Sequence, residues 1–218
     1  MICLENLTKT YFLDGQRKTV ADSINATFPT GAVVALLGRN GAGKSTLLKI
    51  IAGIEDPTNG QVTSTGTISW PVGFAGSFHR DLTGQQNVRF IARIYGVDTQ
   101  ELSEFVEDFA ELGVHYRLPF RSYSSGMRSR LAFGTSMGIA FDTYLVDEVT
   151  AVGDASFRAR SARVFKERMR YAGAVVVTHS TGQARDLCDA AAVLENGKLY
   201  YYEDIEEGIA HHNRNMAA

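Results

Sequence analysis

The sequence predicts an α/β fold: a mostly parallel core sheet covered by helices on both faces, with an antiparallel β subdomain and an inserted helical subdomain. Three observations carry this. Short, continuously apolar runs at 32–37, 144–146 and 174–177 alternate with helical patterns, as strands buried on both faces do. The first run turns through glycines 38, 41 and 43 into a helix. The stretch from about 75 to 138 is helical without intervening strands, and reads as a lobe inserted into a single domain spanning 1–218.

The elements follow in order. Residues 2–7 and 19–28 read as strands of the β-rich beginning, followed by the buried run 32–37. Residues 44–52 read as a helix, with Leu47, Leu48, Ile50 and Ile51 for burial. Residues 68–70 and 72–74 read as short strands. Val88, Ile91, Ala92 and Tyr95 recur at three and four residues, as do Leu102, Phe105, Val106 and Phe109, which is helical spacing. Residues 125–139 are another helix candidate. After it come a strand (144–146), a helix (157–171), a strand (174–178), a helix (182–187) and two strands (191–194 and 198–201). Arg158, Arg160, Arg163, Lys166 and Arg168 read as a solvated helix face, and His211-His212 as a solvated polar tail.

The 218 residues are 44% apolar and 21% charged, the balance of a water-soluble globular chain. A net charge of −2 supplies no basic field for nucleic acid, so no nucleic-acid partner is expected. The amino-terminal residues lack the basic start and apolar stretch of a signal peptide, and no apolar run is long enough to span a membrane. Cys3 and Cys188 have no metal-site spacing and read as reduced thiols.

Residues 38–46 read Gly-Arg-Asn-Gly-Ala-Gly-Lys-Ser-Thr and fit G-x-x-x-x-G-K-[ST]. A strand that turns through glycines into a helix aims backbone N–H groups and the positive helix end at one anion. Gly38, Arg39, Asn40, Gly41, Ala42 and Gly43 would form the cradle. Lys44 would reach the outer phosphates, Ser45 would offer a hydroxyl to Mg²⁺, and Thr46 closes the motif. Asp147 and Glu148 end a second apolar strand, where ligands bind in open α/β sheets. There Asp147 can hold Mg²⁺, directly or through water, and Glu148 can accept a proton from attacking water. Tyr123-Ser124-Ser125-Gly126-Met127-Arg128 precedes a helix; it is either a helix cap with solvated arginines or a second anion site. His179 follows the strand 174–178 as either a loop residue or a catalytic one. Tyr11 is either a core aromatic of an edge strand or a ring on which a base stacks.

In this order and spacing the pieces resemble the nucleotide-binding subunit of ATP-binding cassette (ABC) transporters, over nearly the whole chain. The resemblance makes the fold a P-loop NTPase ABC cassette. Gly38 to Ser45 falls on the Walker A loop and Leu145-Val146-Asp147-Glu148 on Walker B with its catalytic glutamate. Ser124-Ser125-Gly126 falls on the signature motif, with Ser125 in place of its first glycine. Thr150 to Asp154 falls on the D-loop, His179 on the switch histidine, and Tyr11 on the aromatic that stacks on adenine. Residues 123–134, 147–154 and 81–88 look like the ATP-binding proteins of capsular polysaccharide exporters. Related exporters of O-antigen and teichoic acid share much of this. Some O-antigen members carry a long carboxyl-terminal sugar-binding domain; a sequence that stops at Ala218 argues against that subgroup. A soluble, non-transport ABC ATPase is the alternative from another class. One departure stands out: residues 72–82 hold no glutamine where the family places its Q-loop, and Ser77 or His79 are the candidates to replace it.

The resemblance implies ATP and Mg²⁺ as ligands, and a homodimer that sandwiches two ATP molecules between the Walker A loop of one copy and the signature of the other. It also implies a transmembrane permease and polysaccharide export machinery as partners, with the chain peripheral on the cytoplasmic face of the inner membrane. On this expectation Glu148→Gln keeps ATP binding, stops turnover and traps the dimer; size-exclusion chromatography with ATP, beside a phosphate-release assay, checks both halves.

Overall fold

The computed structural model describes residues 1–13, 15–147 and 154–217. The chain divides into two compact units. The first comprises Met1–Pro71, Phe141–Glu148 and Met169–Ala218; the second comprises Val72–Ala140 and Val149–Arg168.

The first unit holds two sheets. Strands β1 (Ile2–Leu13), β2 (Gln16–Phe28) and β4 (Asn59–Ser64) form an antiparallel sheet in the order β2-β1-β4. Strands β3 (Val33–Leu37), β5 (Ile68–Val72), β6 (Thr143–Asp147), β7 (Gly173–Val177), β8 (Ala190–Glu195) and β9 (Lys198–Tyr202) form the other, in the order β5-β6-β7-β3-β8-β9. The pairs β6–β7, β7–β3 and β3–β8 are parallel; β9 runs antiparallel along β8. Every residue of β3 and β7 is buried, which is why their sequences are continuous apolar runs rather than alternating ones.

Helix α1 (Lys44–Ile51) contributes Leu47, Leu48, Ile50 and Ile51 to one core shared by both sheets. Ile2, Leu4, Ile24 and Phe28 enter it from the antiparallel sheet, and Val34, Leu36, Leu145 and Val175 from the parallel one. Asp142 joins the parallel sheet to the loop before β5. Its carboxylate accepts the Thr67 N–H at 2.7 Å and the Thr67 hydroxyl at 2.8 Å, and these bonds hold its pKa below the usual value. Cys3 and Cys188 are free thiols, and burial pushes Cys188 up to about 12.

The second unit is helical: α2 (Gly84–Tyr95), α3 (Thr99–Ala110), α4 (Ser125–Gly138) and α5 (Ala155–Arg168). A full capping box, Thr83 with Gln86, opens α2, and Gly96 closes it at φ 66°. Asp98 caps α3 through the N–H groups of Gln100 and Glu101. Asn87 is buried and shapes the loop ahead of α2: its amide donates to the carbonyls of His79, Leu82 and Thr83 and accepts the His79 N–H at 2.7 Å. The core is a run of rings, with Phe109 stacked on Phe105 and Phe133 and edge-on to Phe157.

Several boundaries differ from the expectation. The hairpin of β1 and β2 extends to Leu13 and Gln16, because antiparallel pairing carries polar residues such as Lys9–Ala21 and Thr10–Thr19 that show no apolar alternation. Strand β4 has one half-buried residue, Val62, and was invisible for the same reason. The β-structure around Trp70 ends at Val72, where Gly73 turns at φ 83°. Arg160 and Arg168 are not a solvated face: Arg160 pairs with Glu111 at 2.6 Å, and Arg168 donates to the Met137 carbonyl. Helix α6 (Thr181–Leu187) is followed, after β9, by α7 (Ile205–Ala217), so His211-His212 is helical rather than a solvated tail. Gly208 lets α7 lie directly on β8, since a Cβ there would stand 2.3 Å from that of Ala191.

Gly134 does the same for α4 against α3: a Cβ would sit 2.9 Å from the Phe109 ring. Gly134→Leu therefore overpacks the ring cluster and should cost about 1–3 kcal/mol, read as a lower urea midpoint in equilibrium unfolding.

Candidate functional site

Three neighbouring parallel strands bring the site together. In register, Leu36 pairs with Val177 and Val177 with Asp147, so β3, β7 and β6 finish side by side. The glycine loop leaves β3, His179 follows β7 and Asp147 ends β6. Parallel strands place all three carboxyl ends on one edge of the sheet, which is where a sequence separation of more than a hundred residues becomes one cleft.

The cleft has a volume of about 560 Å³. Asn40, Gly41, Gly43, Lys44, Ser45 and Thr46 line it from the loop and the start of α1. Asp147, Val177 and His179 line it from the sheet edge, and Tyr11, Lys18 and Val20 from the antiparallel sheet. Asp147 is the exposed end of a strand otherwise buried. His179 is exposed just past buried Thr178. The turn that carries it is fixed by the Thr178 hydroxyl, which accepts the Ser180 N–H at 3.1 Å and contacts Gln183 at 3.0 Å.

The loop's shape depends on glycine at two points. Gly43 has φ 107°, in the region L side chains avoid, and a Cβ there would come within 2.9 Å of Val20 Cβ. A Cβ on Gly38 would lie 2.6 Å from the Leu194 carbonyl oxygen. Lys44 is buried (6% exposed) and donates to the carbonyls of Gly38 at 2.7 Å and Arg39 at 3.0 Å. Its ammonium is thus held inside the loop rather than swept through solvent. Helix α1 begins at this lysine with no side chain among the described residues capping its first N–H groups, so the positive end of the helix faces the cleft.

Tyr11 stands at the opposite wall, half-buried, with its hydroxyl donating to Glu55 Oε1 and lying 3.3 Å from Thr46 Oγ1. Burial and the hydrogen bond to Glu55 raise the phenol above its ordinary pKa, and the same bond lowers that of Glu55. The donor keeps its proton and the acceptor its charge, which strengthens the bond.

A second cavity of about 490 Å³ lies along the loop's other residues, Gly38, Arg39 and Ala42, and reaches α7 at His212 and Asn215. Arg39 donates to the Asn215 carbonyl at 3.4 Å. His212 is 9% exposed, its Nδ1 has no hydrogen-bond partner among the described residues, and burial lowers its pKa, as do Lys44 and His179.

The remaining expected residues lie in the helical unit. Ser124 is the N-cap of α4, accepting the Met127 N–H at 3.3 Å, and Ser125 and Gly126 are the first helical residues. Ser124 and Gly126 border a hollow of about 260 Å³ with Arg130. Asp154 caps α5 by accepting the Phe157 N–H at 2.9 Å, and pairs with Arg130 at 2.7 Å. Ser77 is exposed, and His79 accepts the Asp81 N–H in the loop that Asn87 shapes. Glu148 and residues 150–153 lie outside the described residues. Lys18, Val20, Val177 and Glu55 were missed by sequence reasoning. Val177 had a signal, its place at the end of a continuous apolar strand; Lys18 and Val20 reach the cleft from β2, and Glu55 reaches Tyr11, through pairings no local pattern announces.

Comparisons with known proteins give the family and the fold. A family model described as "ABC transporter" matches residues 21–151. The polysialic acid transport ATP-binding protein KpsT of Escherichia coli is 50% identical over 212 residues, 96% of this chain and 95% of that one. The capsule polysaccharide export ATP-binding protein CtrD of Neisseria meningitidis serogroup B is 42% identical over 213 residues, 98% of this chain and 99% of that one. A solved ATP-binding cassette, dimeric in a post-hydrolysis state with ADP and Pi, superposes with a TM-score of 0.79 at 23% identity, over 94% of this chain and 99% of that one. The fold is that of the ABC cassette, and the chain belongs to the ABC transporter family as one of its ATP-binding proteins.

Proposed function

We propose that this chain hydrolyses ATP to power export of a capsular polysaccharide through a transmembrane permease, from the cytoplasmic face of the inner membrane. The observation that carries the reading is the cleft itself: Lys44, Ser45, Asp147, His179 and Tyr11 surround one volume able to take a nucleotide. Relatives over nearly the full length, KpsT and CtrD, are named for polysialic acid transport and capsule polysaccharide export, which supports the substrate class. No helix among the described residues is long and apolar enough to cross a membrane; on this reading the permease supplies the path. The whole chain acts as one nucleotide-binding domain.

The residues divide the chemistry. Lys44 and the loop N–H groups spread over the phosphates the positive charge that phosphoryl transfer needs, in a site where burial strengthens each interaction. His179 contacts the γ-phosphate from the end of β7, and Glu148, next in sequence to Asp147, takes the proton of the attacking water. Tyr11 stacks on adenine. Ser45 and Asp147 offer hard oxygen donors in the same cleft, a set that suits Mg²⁺. When bound there, Mg²⁺ neutralises charge on the phosphate oxygens. Arg39, Asn40, Gly41, Ala42 and Thr46 complete the cradle.

Ser124, Ser125 and Gly126 serve the nucleotide of a second copy. The start of α4 presents a helix N-terminus, and in a head-to-tail pair it closes on the γ-phosphate held by the other chain's loop. Asp154 holds the signature helix through Arg130. Hydrolysis removes the shared phosphate and reopens the pair, a two-state motion that moves the permease.

Lys44→Ala should lower phosphate release by at least about 10²-fold; turnover at the wild-type rate would remove the phosphate-loop assignment. Deleting the gene should strip a glycan from the cell surface, restored by the wild-type chain and not by Lys44→Ala. Unchanged surface polysaccharide would refute the export role while leaving the ATPase intact.

A further inference from the structure

Beside the cleft, Lys9, Glu55 and Tyr11 form a hydrogen-bonded chain that the phosphate chemistry does not use, and it ends on Thr46 of the cradle. Tyr11 on β1 donates its hydroxyl to Glu55, and the same oxygen lies 3.3 Å from Thr46 Oγ1. Lys9, two residues earlier and on the same face of β1, pairs with Glu55 at 2.9 Å. Its ammonium also donates to the Asp56 carbonyl at 2.7 Å and sits 5.1 Å from the centre of the Tyr11 ring. The Lys9 and Glu55 side chains are only 14% and 24% exposed, so solvent screens this pair less than an open surface one.

The placement of the chain matters more than its strength. Thr46 is in the first turn of α1, two residues past Lys44; Glu55 follows the end of the same helix by four. Tyr11 belongs to the antiparallel sheet. An aromatic ring that faces a cleft is free to tilt about two torsions. Partners at both ends of another element remove that freedom before any ligand arrives, which lowers the ordering cost of binding.

We propose that Glu55 is a positioning residue for the nucleotide base: by accepting the Tyr11 hydroxyl it fixes the ring that stacks on the base, and it ties that platform to the helix that grips the phosphates. The inference rests on the reading of Tyr11 as the base platform. Base affinity then depends on a carboxylate that never touches the nucleotide, and the Tyr11 hydroxyl is as necessary as its ring.

Titration calorimetry of the full chain with ADP and with pyrophosphate, both with magnesium, separates base from phosphate binding. Glu55→Ala and Tyr11→Phe should each weaken ADP by about threefold to tenfold, the loss of one charge-assisted hydrogen bond, and leave pyrophosphate unchanged. The double variant should be no weaker than either single one, because both remove the same bond. Glu55→Gln, which keeps an acceptor, should recover part of the loss. In steady-state hydrolysis KM for ATP should rise in Glu55→Ala while kcat holds. If Tyr11→Ala weakens ADP but Tyr11→Phe and Glu55→Ala do not, the tether is refuted and the base platform stands. If Tyr11→Ala leaves ADP binding unchanged, the platform reading falls and the inference with it. Equal loss of ADP and pyrophosphate in Glu55→Ala would mean a general fold defect and would overturn the positioning role.

Discussion

The parallel pairing of β6, β7 and β3 is the constraint on which the site depends. Side chains along a strand alternate faces, and a slip of one residue in either pairing would turn the end of β6 or β7 to the wrong side. The register is held by burial: all of β3 and β7 and all of β6 except Asp147 are removed from water. Shifting any one of them would break its hydrogen bonds to two neighbours in an apolar interior, where an unmade bond has no water to replace it. The exposed chemistry at the strand ends is therefore positioned mostly by buried residues that do not line the cleft.

The phosphate loop is held from behind in the same way. Val20 packs where a Cβ on Gly43 would have to go, and the Leu194 carbonyl occupies the place of one on Gly38. These contacts come from β2 and β8, one in each sheet, so the loop is clasped by backbone and side chain on both sides. Lys44 adds an internal brace to the Gly38 and Arg39 carbonyls. The loop is thus held in shape by its own chain, and on the proposed reading little binding energy would be spent on ordering the main chain.

How much of this could be read beforehand follows from what each element buries. The runs that become β3, β6 and β7 were plain because strands buried on both faces leave continuous apolar sequence. The phosphate loop was plain because few backbones use three glycines before a lysine and serine. Strand β4, with only Val62 half-buried, and the distal half of the β1–β2 hairpin carry no such mark, since their stability comes from cross-strand hydrogen bonds rather than from a side-chain pattern. Helix α7 was hidden by Gly208 and the polar run His211 to Asn213; tertiary packing on β8 overrides their weak helix propensity. In the site, Ser124 was legible as a cap because capping is local, whereas the link from Tyr11 to Glu55 spans 44 positions and depends on how a sheet meets a helix.

The order of strands in the sheet differs from their order in the gene. Strand β3 lies between β7 and β8, so a chain leaving the ribosome exposes Val33 to Leu37 with neither neighbour yet made. Its second flank is complete only when Val193 has been synthesised, about 8–30 s later at ordinary elongation rates. Through that interval an uncovered apolar strand, followed by the glycine loop, must be kept from other nascent chains. Production of this ATPase is thus tied to whatever shields half-made sheets in the cell, and that demand comes from topology alone.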